Sequence, residues 1–133
     1  MPCYEAYACV RRMAVDATTD LQAMRKDYEQ ALQAAFDRLL QYLSHQPQVE
    51  QVILFGSFAE GRRDLLTDLD LIVVMHSSLS FVERTARLYQ DLDCPVDMDL
   101  LVYTPEEFKN MREGGLVAQA LRRGKIVYEK KAA

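Results

Sequence analysis

The sequence predicts an α/β domain, with a small mixed β-sheet flanked by helices and a helical extension on its N-terminal side. Three observations carry that reading. Apolar residues between Leu21 and Leu43 return at helical steps. Three short segments rich in branched side chains, 49–55, 69–75 and 96–103, stand apart from it and are separated from one another by turn signals or a helical pattern. Glycine, proline or serine sits near each junction between them, as expected where strands and helices alternate.

Thr18, Thr19 and Asp20 carry short oxygen-bearing side chains suited to capping free amides, so a helix is placed to begin there. Beyond them Leu21, Met24, Tyr28, Leu32, Ala35, Phe36, Leu39, Leu40 and Leu43 recur at steps of three and four. That spacing forms one face of a long amphipathic helix, which Pro47 ends. The face is expected to cover one side of the sheet; the alternative is that part of it meets another chain, which is compatible with a homo-oligomer.

Val49 to Phe55 has the composition of a strand. Gly56 breaks it, a helical turn is expected around Ser57 to Glu60, and Gly61 to Thr67 is polar and loop-like. Leu69 to Met75 is almost continuously apolar, the pattern of a strand covered on both faces. Ser77, Ser78 and Ser80 mark a loop and cap before a helix from Phe81 to Leu92, with Phe81, Val82, Leu88 and Leu92 on its apolar side. After Pro95, Val96 to Tyr103 alternates as a third strand.

Thr104-Pro105-Glu106-Glu107 is a helix start, with a capping threonine, proline in the first turn and acids near the positive helix end. Gly114-Gly115 separates that short helix from another over Leu116 to Arg123, Gly124 stops it, and Ile126 to Tyr128 suits a final edge strand. The tail at Lys130 and Lys131 reads as frayed. Residues 1–20 show no period that assigns them structure. Residues 21–133 read as one domain, with a motif-bearing core at about 49–129.

Half of the 133 residues are hydrophobic, enough for a core, and 27% are charged, as in ordinary soluble proteins. The net charge of −4 is spread along the chain, which argues against nucleic acid as the main partner. It leaves room for a nucleotide, which needs only a local site and a metal. No apolar run approaches the roughly 18 residues of a membrane span, and Met1 to Val15 lacks the apolar core of a signal peptide. Cys3, Cys9 and Cys94 are odd in number and show no C-x-x-C spacing, so a disulfide framework or zinc site is not expected. Thiols in a reducing compartment, and hence a cytoplasmic protein, fit better.

The chemistry concentrates in one segment. Gly56-Ser57 sits where a strand gives way to a helical turn, where glycine lets backbone approach a phosphate and serine offers a hydroxyl. Asp68 and Asp70, two residues apart at a strand entrance, point to the same face. Paired carboxylates repel and raise their own pKa values unless a cation joins them. A hard divalent ion such as Mg²⁺ suits oxygen ligands. Asp97 and Asp99, again two apart on an otherwise apolar strand, offer a third acid; Asp99 is preferred because Asp97 falls at the strand start.

Gly56-Ser57, ten residues, then Asp68-Leu69-Asp70 resembles the signature of the DNA-polymerase-β-like nucleotidyltransferase superfamily. The flanks Leu54 to Gly61 and Thr67 to Leu71, together with 96–108 and 124–129, are similar to its small stand-alone members, the minimal nucleotidyltransferases. The resemblance implies that family's palm-like fold. It implies that Gly56 and Ser57 hold the outer phosphates of a nucleoside triphosphate such as ATP, and that Asp68 and Asp70 bind the bridging Mg²⁺. It also implies that Asp99 binds a second ion and helps activate an acceptor hydroxyl, with attack at the α-phosphate and release of pyrophosphate. Minimal members pair with helical HEPN-domain toxins as antitoxins, moving AMP onto a hydroxyl, typically a tyrosine, of the partner.

Two positions depart from the pattern. Family members often carry Arg where this chain has Glu60 and Ser where it has Thr67. Thr67 keeps the hydroxyl; Glu60 reverses a charge beside the phosphate loop, which Arg62 or Arg63 is placed to offset. Glu60 favours the competing reading, a non-catalytic antitoxin or regulatory module with a relic site. Transfer to a small-molecule acceptor is a further alternative. His45 is expected to meet helix-end carbonyls, and His76 is expected near the site without a required role. Arg11-Arg12 and Arg122-Arg123 suit solvated surface, and Met13, Met24, Met75, Met98 and Met111 suit packing.

Overall fold

The structure, a computed structural model, describes residues 18–131, and of Thr18 and Thr19 only the backbone. The readings made on 1–17, including Cys3, Cys9, Arg11, Arg12 and Met13, lie outside the described residues. A long helix α1 (Thr18–Ser44) leads to strand β1 (Val49–Phe55), the single helical turn α2 (Gly56–Ala59) and strand β2 (Leu69–Met75). Helix α3 (Phe81–Leu92), strand β3 (Met98–Tyr103), helices α4 (Pro105–Met111) and α5 (Gly115–Arg123), and strand β4 (Lys125–Glu129) follow. The sheet runs β3-β2-β1-β4. β1 is antiparallel to both neighbours, while β2 and β3, joined through α3, are parallel. The mixed sheet expected from the sequence is therefore present.

Two apolar layers sandwich it. Leu32, Ala35, Leu39 and Leu43 of α1 pack with Leu88 of α3 against Val52, Leu54, Leu71, Val73 and Val102. Phe108 of α4 and Val117 and Ala120 of α5 cover Ile53, Ile72 and Val74 on the other face. Alternation along β1 and β2 supplies one set to each side. β2 is buried at almost every position because helices lie on both faces.

Several expectations shift at the ends of elements. Leu21 is exposed, since α1 overhangs the sheet at its start. The third strand begins at Met98 rather than Val96, because Asp93 takes a left-handed turn out of α3 and residues 93–97 complete the approach. On α3, Val82 is 74% exposed and the buried member of its first turn is Arg84. Reading Val82 as core was wrong: its turn lies at the rim of the apolar layer.

Arg84 has a structural use. Its Nε donates to the Val102 carbonyl at 2.9 Å and one Nη to the Leu79 carbonyl at 3.0 Å, and it also meets the Glu107 carboxylate. Tyr89 on the same helix accepts from the Leu100 amide at 2.8 Å and donates to the Met98 carbonyl at 3.0 Å. α3 thus satisfies three of the outward polar groups of edge strand β3, the Met98 and Val102 carbonyls and the Leu100 amide, and covers part of that edge. Glu107 also completes the capping box with Thr104 that the sequence announces.

Arg84→Met keeps the aliphatic stem but leaves two carbonyls without their donors. It is expected to lower stability by about 3 kcal/mol, read as a lower urea midpoint with an unchanged slope.

Candidate active site

The register of the sheet assembles the site. Phe55 pairs with Asp70 across β1 and β2, and Asp70 pairs with Asp99 across β2 and β3. These three side chains form a row on the face that carries Ile53, Ile72 and Leu101, beside the layer made by α4 and α5. Gly56 follows Phe55 directly, with φ +76. A Cβ there would lie 2.1 Å from Asp70 Oδ2. Gly56 and Asp70, 14 residues apart in sequence, are therefore pressed against each other. Only a residue without a side chain permits that approach.

The carboxylates act on one another. Asp70 is pushed up to about 6, first by burial, then by a hydrogen bond with Asp99, then by the charges of Asp99 and Asp68. Asp68 is raised by burial and by the charges of Asp97 and Asp99, with Arg62 opposing. Two carboxyls in hydrogen-bonding contact must share a proton or a cation. Asp97 and Asp99 are both exposed, so depth in the fold does not separate them. Pairing does: Asp99 touches Asp70, whereas Asp97 precedes the strand and its carbonyl accepts the Leu69 amide at 3.0 Å.

No three His, Cys, Asp or Glu side chains among the described residues already surround one point as a metal cage. The donor set nonetheless fits a hard divalent cation. Asp70 and Asp99 present adjoining oxygens, Asp68 lies within reach of their field, and Gly56 leaves room against Asp70.

The loop that delivers Asp68 is held from two sides. The fully buried Thr67 donates its hydroxyl to Asp64 Oδ1 at 3.1 Å and accepts the Asp64 amide at 3.0 Å. Its carbonyl accepts from the Tyr28 hydroxyl at 2.9 Å, which ties the loop to α1. The hydroxyl kept at position 67 thus shapes the approach to Asp68. Sequence reasoning placed Tyr28 in the core and missed this second use, for nothing local names a partner 39 residues away.

Both candidate arginines have partners other than Glu60. Arg63 lies over the Phe58 ring at 3.6 Å and donates to the Phe58 carbonyl at 2.7 Å. Arg62 bonds Asp64 at 2.6 Å, which lowers the Asp64 pKa, and contributes only through its field at Asp68. His76 is a correction: it follows the opposite end of β2 and pairs with Glu50 at 3.0 Å, away from the carboxylates. His45 does meet a helix-end carbonyl, that of Gln41, at 2.7 Å. Ser57 is half-buried beside Gly56, at the start of a turn that has no side-chain cap.

A family model described as "Polymerase beta, Nucleotidyltransferase" matches residues 37–133. The chain belongs to that family. It is similar to a solved structure from Sulfolobus solfataricus, described as a candidate nucleotidyltransferase, at 15% identity and a TM-score of 0.55. The match covers 80% of this chain and 87% of that one and shows a shared fold. More distant likeness, at 23% identity and a TM-score of 0.45, links 74% of this chain to 73% of a toxin–antitoxin chain solved with AMP-PNP. A MntA-HepT toxin–antitoxin structure matches at 22% identity and a TM-score of 0.41, over 76% of this chain and 73% of that one. No relative was found among curated proteins. No helix among the described residues is long and apolar enough to cross a membrane.

Gly56→Ala is expected to lower stability by about 2 kcal/mol through its positive φ and to displace Asp70. Nucleotidyl transfer, assayed as below, should then be lost while circular dichroism keeps its folded form. The raised pKa of Asp70 has a definite sign. The folded chain holds this proton longer than the unfolded one, so the contribution favours folding at low pH and disappears as pH rises from about 4 through 6. Without divalent ions, the stability difference between wild type and Asp70→Asn should move against wild type over that window. Melts in excess EDTA between pH 4 and 7 check it, and added Mg²⁺ should reverse the trend at pH 7.

Proposed function

We propose that this chain is an active, Mg²⁺-dependent transferase that moves a nucleoside monophosphate, AMP from ATP in the leading case, onto a hydroxyl of a partner protein. The observation that carries the reading is the contact set at the sheet end, where Gly56 abuts Asp70 and Asp70 touches Asp99. Asp68, Asp70 and Asp99 would hold the cation, which when bound neutralises phosphate charge and polarises the α-phosphorus. Gly56 and Ser57 would cradle the outer phosphates. Asp99, at the open side of the pair, would take the proton as the acceptor oxygen bonds to the α-phosphorus and the bond to pyrophosphate breaks. This division leaves the protein chiefly with positioning and electrostatics.

The resemblance of the motif-bearing segment to minimal nucleotidyltransferases supports a toxin of the helical HEPN type as the acceptor, with this chain as its antitoxin. One observation favours the competing, non-catalytic module: Glu60 stands exposed beside Gly56 and sets a like charge near the phosphates.

Purified protein with Mg²⁺, α-labelled ATP and either host lysate or a candidate helical partner separates the two. Wild type should transfer label to one acceptor band, while Asp70→Asn and Asp99→Asn should transfer none. An unlabelled partner with each of the four nucleotides in turn, alongside undiminished partner binding by Asp70→Asn, would establish the module instead.

A further inference from the structure

Gly124 occupies a place where a side chain cannot fit. A Cβ there would lie 2.4 Å from the Ala120 carbonyl oxygen and 2.6 Å from that of Leu54. Its amide donates to Ala120 at 2.6 Å. The last turn of α5 therefore closes directly onto the end of β1, far tighter than side-chain packing permits. Beside this contact lies a pocket of about 220 Å³, whose lining includes Phe55, Gly56, Glu60, Leu116, Gln119 and Arg123. Two of its lining residues adjoin the carboxylates: Phe55 is the register partner of Asp70, and Gly56 lies against the Asp70 side chain.

Arg123 is the cation of this pocket. It is exposed and takes part in none of the ion pairs among the described residues. Other basic groups nearby are spoken for or face elsewhere. Arg62 is held by Asp64 and Arg63 by Phe58, while Lys125 lines a separate cavity with Phe36 and Phe58 behind the turn. Arg122 precedes it on α5 but does not line the pocket.

We propose that Arg123 binds the outer phosphates of the nucleoside triphosphate from the Gly56 side, and so supplies the positive charge that Glu60 removes from the phosphate loop. The inference rests on the transferase reading above and adds a residue to it. A guanidinium suits the task, since its planar donors meet phosphate oxygens in pairs and it stays charged at every working pH. The carboxylates with their cation then hold the chain of phosphates on one side, and Arg123 holds it on the other. Gln119, one turn earlier on the same helix, lines the pocket beside it.

Calorimetric titration with ATP and with AMP, each with excess Mg²⁺, tests this without turnover. Arg123→Ala should weaken ATP binding about tenfold, as loss of a charge-assisted contact does, and leave AMP within twofold of wild type. Arg123→Gln should repeat the loss, Arg123→Lys should recover part of it, and Arg122→Ala should match wild type for both ligands. Thermal melts of the variants should coincide with wild type. Equal ATP affinity in wild type and Arg123→Ala overturns the proposal but leaves the transferase reading standing. Equal losses for ATP and AMP also overturn it, because the residue then acts through structure. A wild type that binds no nucleoside triphosphate with Mg²⁺ overturns the transferase reading and this proposal together.

Discussion

Phe55 lies opposite Asp70 because β1 and β2 pair antiparallel in one register, and the rest of the site hangs on that pairing. A slip of one residue would turn Asp70 into the layer packed by α1 and bring Leu71 to the Gly56 turn. The apolar pattern forbids it. Ile53, Ile72 and Val74 need the α4–α5 side, and Val52, Leu71 and Val73 need the α1 side. Core burial thus holds Asp70 in place at the sheet end, although its carboxylate contributes no apolar surface. The bulge at Val49 and Gln51 lies at the far end of β1, where a local irregularity leaves the Phe55–Asp70 pair undisturbed.

The parallel pairing of β2 with β3 extends the row by one acid, and it depends on α3. That helix carries the chain back across the sheet, then uses Arg84 and Tyr89 to satisfy outer groups of β3. Asp99 is therefore on a strand whose outer edge is partly bonded by α3, on both sides of its own position. The repulsion gathered there opposes folding, and a cation would relieve it. Stability given up at the carboxylates is the counterpart of binding strength for a charged ligand.

α1 does more than cover one face. Through Tyr28 it reaches the backbone of Thr67, and Thr67 with Asp64 fixes the loop before Asp68. The loop has few apolar anchors of its own, so hydrogen bonds rather than burial position the first acid. This ties the long helix to the loop that carries Asp68.

The sequence by itself determined most of the element types, the mixed α/β class and the family, and it pointed to the residues proposed to carry the chemistry. Those properties live in local spacing: helical steps in α1, apolar runs in β1 and β2, the Thr104 capping box, and two acids two residues apart. Tertiary structure alone decided what meets what. It chose Asp99 over Asp97 as the neighbour of Asp70, moved His76 to the far end of the sheet, and occupied Arg62 and Arg63 with Asp64 and Phe58. It also placed Arg123 in a pocket with Gly56, and it tied Tyr28 to the backbone of Thr67. The physical reason is the range of the forces involved. Backbone propensity and alternation act over a few residues. Strand register, side-chain hydrogen bonds and the close seat at Gly124 join residues tens of positions apart, and these contacts exist only once the sheet has formed.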